Sequence, residues 1–207
     1  MNARGLYAIV DPAATRGRDP ERIAAAILAG GCARLQLRAK DGADRARLAL
    51  AERLRARCAA AGVPFVVDDR ADLAALVGAD GLHVGLDDLP IAAARRIVGG
   101  IEIGRSSHDP AQARQAERDG ADLVAFGPVF ETASKSAPDP VVGLDALAAV
   151  CAGARRPVVA IGGITLERAP AIRDAGAAFG AVISALCAAD DPELAARALH
   201  HALGGAP

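Results

Sequence analysis

Short apolar runs alternate along the chain with longer amphipathic segments. The runs are residues 6–11 (LYAIVD), 33–39 (ARLQLRA), 64–69 (PFVVDD), 81–85 (GLHVG), 101–107 (IEIGRSS), 123–130 (LVAFGPVF), 157–163 (PVVAIGG) and 179–186 (FGAVISAL). Rich in Val, Ile and Leu, and mostly flanked by Gly or Pro, they read as parallel strands buried on both faces. Between them lie Ala/Leu/Arg patterns such as PERIAAAILAG, DRARLALAERLRARCAAAG and DPELAARALHHALG, which read as helices. Eight strands alternating with eight helices, at about 20 to 30 residues per unit, predict a closed (β/α)8 TIM barrel, a single domain over residues 1–207. An open doubly wound sheet is the rival fold, but no G-x-G-x-x-G follows the first run.

Gly-Ala-Asp stands before a strand at 78–80 and again at 120–122, with a looser AGAAFGAVI at 175–183. These repeats read as helix-to-strand turns closed by glycine and carry no chemistry. Composition narrows the functions. The chain has 207 residues, 52% of them apolar, enough for a core without disulfides. With 25 acids against 24 bases there is no basic excess for nucleic acid, and 2% aromatics with no Trp leave no stacking platform. Cys32, Cys58, Cys151 and Cys187 form no C-x-x-C pair and no zinc spacing, which suits reduced thiols of a cytoplasmic protein. The N-terminus is not a signal peptide, and no apolar stretch nears the roughly 20 residues that span a membrane. A homo-oligomer is left open.

In such a barrel the active site lies at the C-terminal ends of the strands, where this chain repeatedly places polar residues. The second run ends in Gln36, Arg38 and Lys40, which share one face of a strand. The third ends in Asp68, Asp69 and Arg70. The fourth holds His83 and is followed by Asp87 and Asp88. The fifth ends in Arg105, Ser106, Ser107 and His108. The sixth leads to Thr132, Ser134 and Lys135, the seventh ends in Gly162 and Gly163, and the eighth in Ser184. Carboxylates from neighbouring strand ends suit Mg²⁺, and cations with hydroxyls around them suit a diphosphate. The Gly-Gly turn and the last strand end match the phosphate pocket of this fold. Each piece has a plainer reading. VDDRADL and LDDLP could be helix caps, His83 a satisfied core histidine, and His200 and His201 solvated residues of the last helix. Convergence on one rim favours a site.

Taken together, Q-L-R-x-K (Gln36 to Lys40), D-D-R (Asp68 to Arg70), DGLHVGLDDLP (80–90), S-x-H (Ser106 to His108), GPVFETASK (Gly127 to Lys135) and IGGIT (161–165) resemble the thiamine phosphate synthase family, whose sister branch is the thiazole tautomerases. The resemblance covers nearly the whole chain. It implies a Mg²⁺-dependent transferase that joins two small molecules, hydroxymethylpyrimidine diphosphate and a thiazole phosphate, by a dissociative route that releases pyrophosphate. By the family pattern Asp69 and Asp88 hold the metal. Gln36, Arg38, Lys40 and Asp68 surround the pyrimidine diphosphate, with Ser106 near the pyrimidine and Lys135 on the diphosphate. Thr132 and Ser134, with backbone at Gly163, Ile183 and Ser184, hold the thiazole phosphate. Lys40 and Lys135 are the only lysines among 24 lysines and arginines, and both fall on diphosphate positions.

The chain departs from the pattern at Asp68, where synthases carry Asn, and at Ser134, where Thr is common. GRSSH and FGPVFETASK look closer to the tautomerase branch. That branch, however, has a histidine where this chain has Pro128, and it loses the second metal aspartate kept here as Asp88. The synthase is therefore favoured. The alternatives are a tautomerase using His108 or His83, and a non-catalytic thiamine-pathway binding protein.

Overall fold

Each of the eight apolar runs forms a strand, and the strands close into one ring. The computed structural model describes residues 4–132 and 139–206. Strands β1 (Gly5–Val10), β2 (Arg34–Leu37), β3 (Phe65–Asp68), β4 (Gly81–Val84), β5 (Glu102–Ser107), β6 (Leu123–Phe126), β7 (Val158–Ile161) and β8 (Phe179–Val182) pair in parallel and in order, and β8 returns to β1. Around them run α1 (Pro20–Gly30), α2 (Asp44–Ala61), α3 (Ala71–Val77), α4 (Ile91–Val98), α5 (Pro110–Arg118), α6 (Gly143–Gly153), α7 (Ala169–Asp174), the short α8 (Ser184–Cys187) and α9 (Pro192–Ala202). Among the described residues no helix is long and apolar enough to cross a membrane.

Alternate residues of a strand face opposite ways. On β1, Leu6, Ala8 and Val10 join the main core between ring and helices, whereas Tyr7 and Ile9 point inside with Val66, Leu123, Ala125, Val159, Phe179 and Ala181. Burial on both faces explains why most of the runs lack a polar side, β2 and β5 being the exceptions. Three helices open on Asp-Pro pairs. The carboxylates of Asp19, Asp109 and Asp191 accept backbone N–H bonds at the starts of α1, α5 and α9, and proline fills the first turn.

The Gly-Ala-Asp repeats are clips at the floor of the ring. Gly78 and Gly120 take positive φ (60° and 93°), as expected of helix-ending glycine. The following aspartate then ties two strands together. Asp80 accepts the Phe65 N–H of β3 at 2.8 Å and pairs with Arg55 of α2 at 3.3 Å. Asp122 does the same with Ile103 of β5 (3.0 Å) and Arg95 of α4 (2.7 Å). At the looser third copy Ala178 has no carboxylate, and only its N–H bonds to Val158 O.

Some boundaries and residues differ from expectation. β6 stops at Phe126, since Gly127 and then Pro128, which has no N–H for a ladder, follow it. β8 stops at Val182, and Ser184 opens α8 instead of ending the strand. The buried Leu186 made the start of that helix look like strand. His200 is not solvated: it is half-buried, and its Nδ1 accepts the Leu6 N–H at 3.2 Å. His201 is exposed. All four cysteines are unpaired, with Cys32, Cys58 and Cys187 buried.

Candidate active site

A cavity opens at the C-terminal end of the ring, and its two walls differ in chemistry. The wall from β1 to β5 is polar. Deepest in it, the Tyr7 hydroxyl donates to Gln36 Oε1 (2.7 Å), and Gln36 Nε2 donates to Asp68 Oδ1 (2.8 Å). Burial holds the Tyr7 hydroxyl protonated well above its ordinary range. Arg38 is held between Asp11, with which it pairs directly, and Asp68, 3.8 Å from its Nε. Burial, then the Asp69 charge, pushes the Asp68 carboxyl up to about 7, against Lys40 and Arg38. His83 Nε2 and Ser106 Oγ lie 2.9 Å apart on β4 and β5. The wall from β6 to β8 is apolar, with Ala125, Val159, Ile161 and Ala181.

The rim of the polar wall carries paired carboxyls. Asp69 has φ of 60°, a left-handed conformation that aspartate tolerates better than most residues. Its N–H donates to His83 O (2.8 Å), and Arg70 N donates back to Asp68 O (2.7 Å), which fixes the bend. Such strain costs on the order of 1–3 kcal/mol and collects at functional sites. Here the bend turns the Asp69 carboxyl toward Lys40 Nζ (2.8 Å) and the Asp88 carboxyl. Asp88 is fixed in turn by the Gly85 N–H (2.7 Å), and a Cβ at Gly85 would stand 2.9 Å from that carboxylate oxygen. Burial raises Asp69, but hydrogen bonds with Lys40 and Asp88 outweigh it and hold its pKa low. Burial and the Asp69 contact raise Asp88. Two carboxyls this close need a proton or a cation between them, so the pair fits a hard divalent ion. Among the described residues no three His, Cys, Asp or Glu are placed to share one metal ion, so the remaining ligands would have to be solvent or substrate oxygens.

Opposite lies a backbone-built corner. Gly162 (φ 101°) and Gly163 (φ 63°) turn the chain where the segment after β6 crosses it: a Cβ at either position would strike Pro128 or Phe130 and Glu131. Arg168 donates to Gly163 O at 2.7 Å and lies over the Phe130 ring at 4.7 Å. Ile183 and Ser184 complete the corner at the start of α8. Arg18 holds the far end of that helix, donating to Cys187 O and Ala189 O, both at 2.7 Å.

Gln36, Arg38, Lys40, Asp68, Asp69, Asp88, Ser106, Thr132, Gly163, Ile183 and Ser184 all line this one cavity. Ser134 and Lys135 lie outside the described residues. The cap readings of VDDRADL and LDDLP are overturned: the cap positions of α3 and α4 are Arg70 and Pro90, and neither helix has a side-chain cap bond. Arg70 turns away to Asp44 and Asp72, Asp87 is exposed, and Arg105 reaches Leu86 O. His83 lines the cavity, so it is not simply a core histidine. Sequence reasoning missed Tyr7 and Asp11. Tyr7, Ile9 and Asp11 have strand spacing, and Tyr7 is the only tyrosine in the chain, a signal that could have marked them.

Known proteins resemble this arrangement along the whole chain. A family model described as thiamine monophosphate synthase matches residues 6–186. A thiamine-phosphate synthase of Chloroflexus aurantiacus is 43% identical over 194 residues, covering 94% of this chain and 90% of the relative. One from Roseiflexus castenholzii is 46% identical over 200 residues, covering 96% and 88%. A solved thiamine phosphate pyrophosphorylase from Pyrococcus furiosus superposes with a TM-score of 0.89 at 33% identity, covering 98% of this chain and 96% of that one.

Proposed function

The chain belongs to the thiamine monophosphate synthase family, and from that premise we propose that this cavity couples hydroxymethylpyrimidine diphosphate to thiazole phosphate, giving thiamine phosphate and pyrophosphate. The enzyme is a transferase. The observation that carries the residue-level reading is the Lys40–Asp69–Asp88 cluster on one side of a cavity whose other side is the Gly162–Gly163 corner. It supports one cation-assisted diphosphate site and one separate phosphate site.

A Mg²⁺ held by Asp69 and Asp88 would neutralise charge on the departing pyrophosphate. Lys40 adds a flexible point charge there and Arg38 a fixed one. Gln36 and Asp68 offer hydrogen bonds to the pyrimidine, with Ser106 beside it. The apolar wall keeps water from the pyrimidine cation left when the carbon–oxygen bond breaks, so that the thiazole nitrogen captures it. Thr132, with backbone at Gly163, Ile183 and Ser184, takes the thiazole phosphate, and Ser134 and Lys135 act from the neighbouring segment. Unpaired thiols support a cytoplasmic location.

The tautomerase reading would need His108 or His83 as proton shuttle. His108 Nδ1 is 2.6 Å from Gly127 O and its Nε2 is 3.4 Å from Asp139, while His83 holds Ser106, which disfavours both. The test is pyrophosphate release by the purified protein with Mg²⁺ and both substrates. Release is expected only when both are present and is lost with chelator. No release under those conditions would sink the reading.

A further inference from the structure

On β5 the inward positions are Glu102, Gly104 and Ser106, and on β4 they are Gly81 and His83. The register sets Gly81 beside Glu102 and His83 beside Gly104, so each pair matches a bare position with a large side chain. Glycine in the middle of a strand is unfavourable and calls for a reason. Backbone geometry is not the reason, since Gly104 is absent from the glycines with positive φ. Space is: a Cβ at Gly104 would stand 2.7 Å from His83 Nδ1 and 3.5 Å from Cε1. The ring leans across the bare Cα, and from there its Nε2 meets Ser106 Oγ at 2.9 Å.

We propose that Gly104 is a positioning residue for the coupling reaction. Its bare Cα is the seat on which the His83 imidazole rests, and the seated ring aims the Ser106 hydroxyl into the cavity. The inference rests on the reading of Ser106 as a neighbour of the pyrimidine. A side chain at 104 lifts the ring from β5, breaks its bond to Ser106 and leaves that hydroxyl to rotate. A misplacement of about 1 Å at a reacting centre costs up to about a hundredfold in rate.

The experiment is a double-mutant cycle of Gly104→Ala with His83→Ala, reading steady-state coupling and melting temperature. Gly104→Ala should lower kcat/KM about tenfold or more in the parent and by less than about twofold in the His83→Ala background, because the atom it strikes is then gone. The melting temperature should also fall more in the parent than in the His83→Ala background, where the clash is gone, so activity is read per folded molecule. The same activity loss in both, or parent-like activity of Gly104→Ala, would overturn the proposal. A glycine needed only for packing predicts one of those two results. A second measurement does not need Gly104→Ala to fold. In NMR spectra, the Gly104 Hα resonances should be displaced by the His83 ring current and should return toward ordinary glycine values in His83→Ala. Unmoved resonances would refute the seat. This arm decides the seat even if the parent shows no coupling, in which case the functional reading alone has failed.

Discussion

At the floor of the ring Arg34 on β2 reaches across to Glu102 on β5 at 2.6 Å and lies over the Phe179 ring at 4.9 Å. At the mouth Lys40 reaches Asp69 at 2.8 Å, and the Asp88 carboxyl lies beyond. Both are ion pairs inside or at the edge of a ring of apolar strands. The floor pair is balanced one to one. At the mouth Asp11, Asp68 and Asp69 pair with Arg38 and Lys40, and the Asp88 carboxyl adds a fourth acid beside Asp69. A balanced, half-buried pair is structural, and its removal is felt by the fold. A surplus of carboxyls is a stored cost that a bound cation relieves, and its removal is felt by the reaction.

The sharpest break of this contrast is Asp88→Ala. Coupling should fall on the order of a thousandfold, as when a key electrostatic group is lost, with no loss of melting temperature. Calorimetry should still detect thiazole phosphate, whose corner lies opposite. Full activity would remove Asp88 from the metal site. The converse test is at the floor. Glu102→Leu leaves the half-buried Arg34 without its partner and should destabilise by about 1–3 kcal/mol in urea unfolding. Arg34→Met with Glu102→Leu should recover most of that, and coupling per folded molecule should stay parent-like throughout. Arg34 Nε already lacks a hydrogen-bond partner, so the pair is an imperfect one.

Lys135→Ala should lower kcat about a hundredfold while changing KM for the pyrimidine diphosphate little, because the lysine acts on charge that develops in the transition state. Parent-like kinetics would make it a solvated residue. Asp68→Asn keeps an acceptor for Gln36 and frees Arg38 from one carboxylate, so affinity for the diphosphate should rise by roughly three- to tenfold. A clear loss of activity would instead give the carboxyl a positive role. The smallest effect belongs to the floor. Burial lowers the His200 pKa in the folded protein. Its contribution is therefore present above about pH 6.5 and is lost as pH falls through the lower folded value. His200→Gln should blunt the acid-side drop in melting temperature by less than about 4 °C. An unchanged pH profile would exclude His200 as its source.

The two regions were not equally legible in the sequence. The ring was readable because strands buried on both faces leave apolar runs, and most ends fell within a few residues. The ends failed at β6 and β8, where Val129 and Leu186 are buried by the turn and by α8, so apolar character outlasted the strand. The mouth was readable where alternate spacing grouped Gln36, Arg38 and Lys40, which all line the cavity although β2 ends at Leu37 and the last two stand beyond it. Asp68 and Asp69 could not be told from a helix cap, since cap and ligand use the same residue type beside the same helix. The floor pair went unread because Arg34 and Glu102 meet across the ring, which no local pattern encodes. Gly104 too becomes meaningful only once the register sets it beside His83.

The Asp80 and Asp122 clips have a kinetic consequence. Each joins partners only 15 and 19 residues apart in the chain, so each costs little loop-closure entropy. They turn β3–α3–β4 and β5–α5–β6 into local modules that can form before the ring exists. The seam between β1 and β8 joins Gly5 to Phe179 from opposite ends of the chain, and the turn before β8 carries alanine in place of the clipping aspartate. By contact separation alone, the clipped modules are the cheapest contacts to form and that seam is the costliest to close.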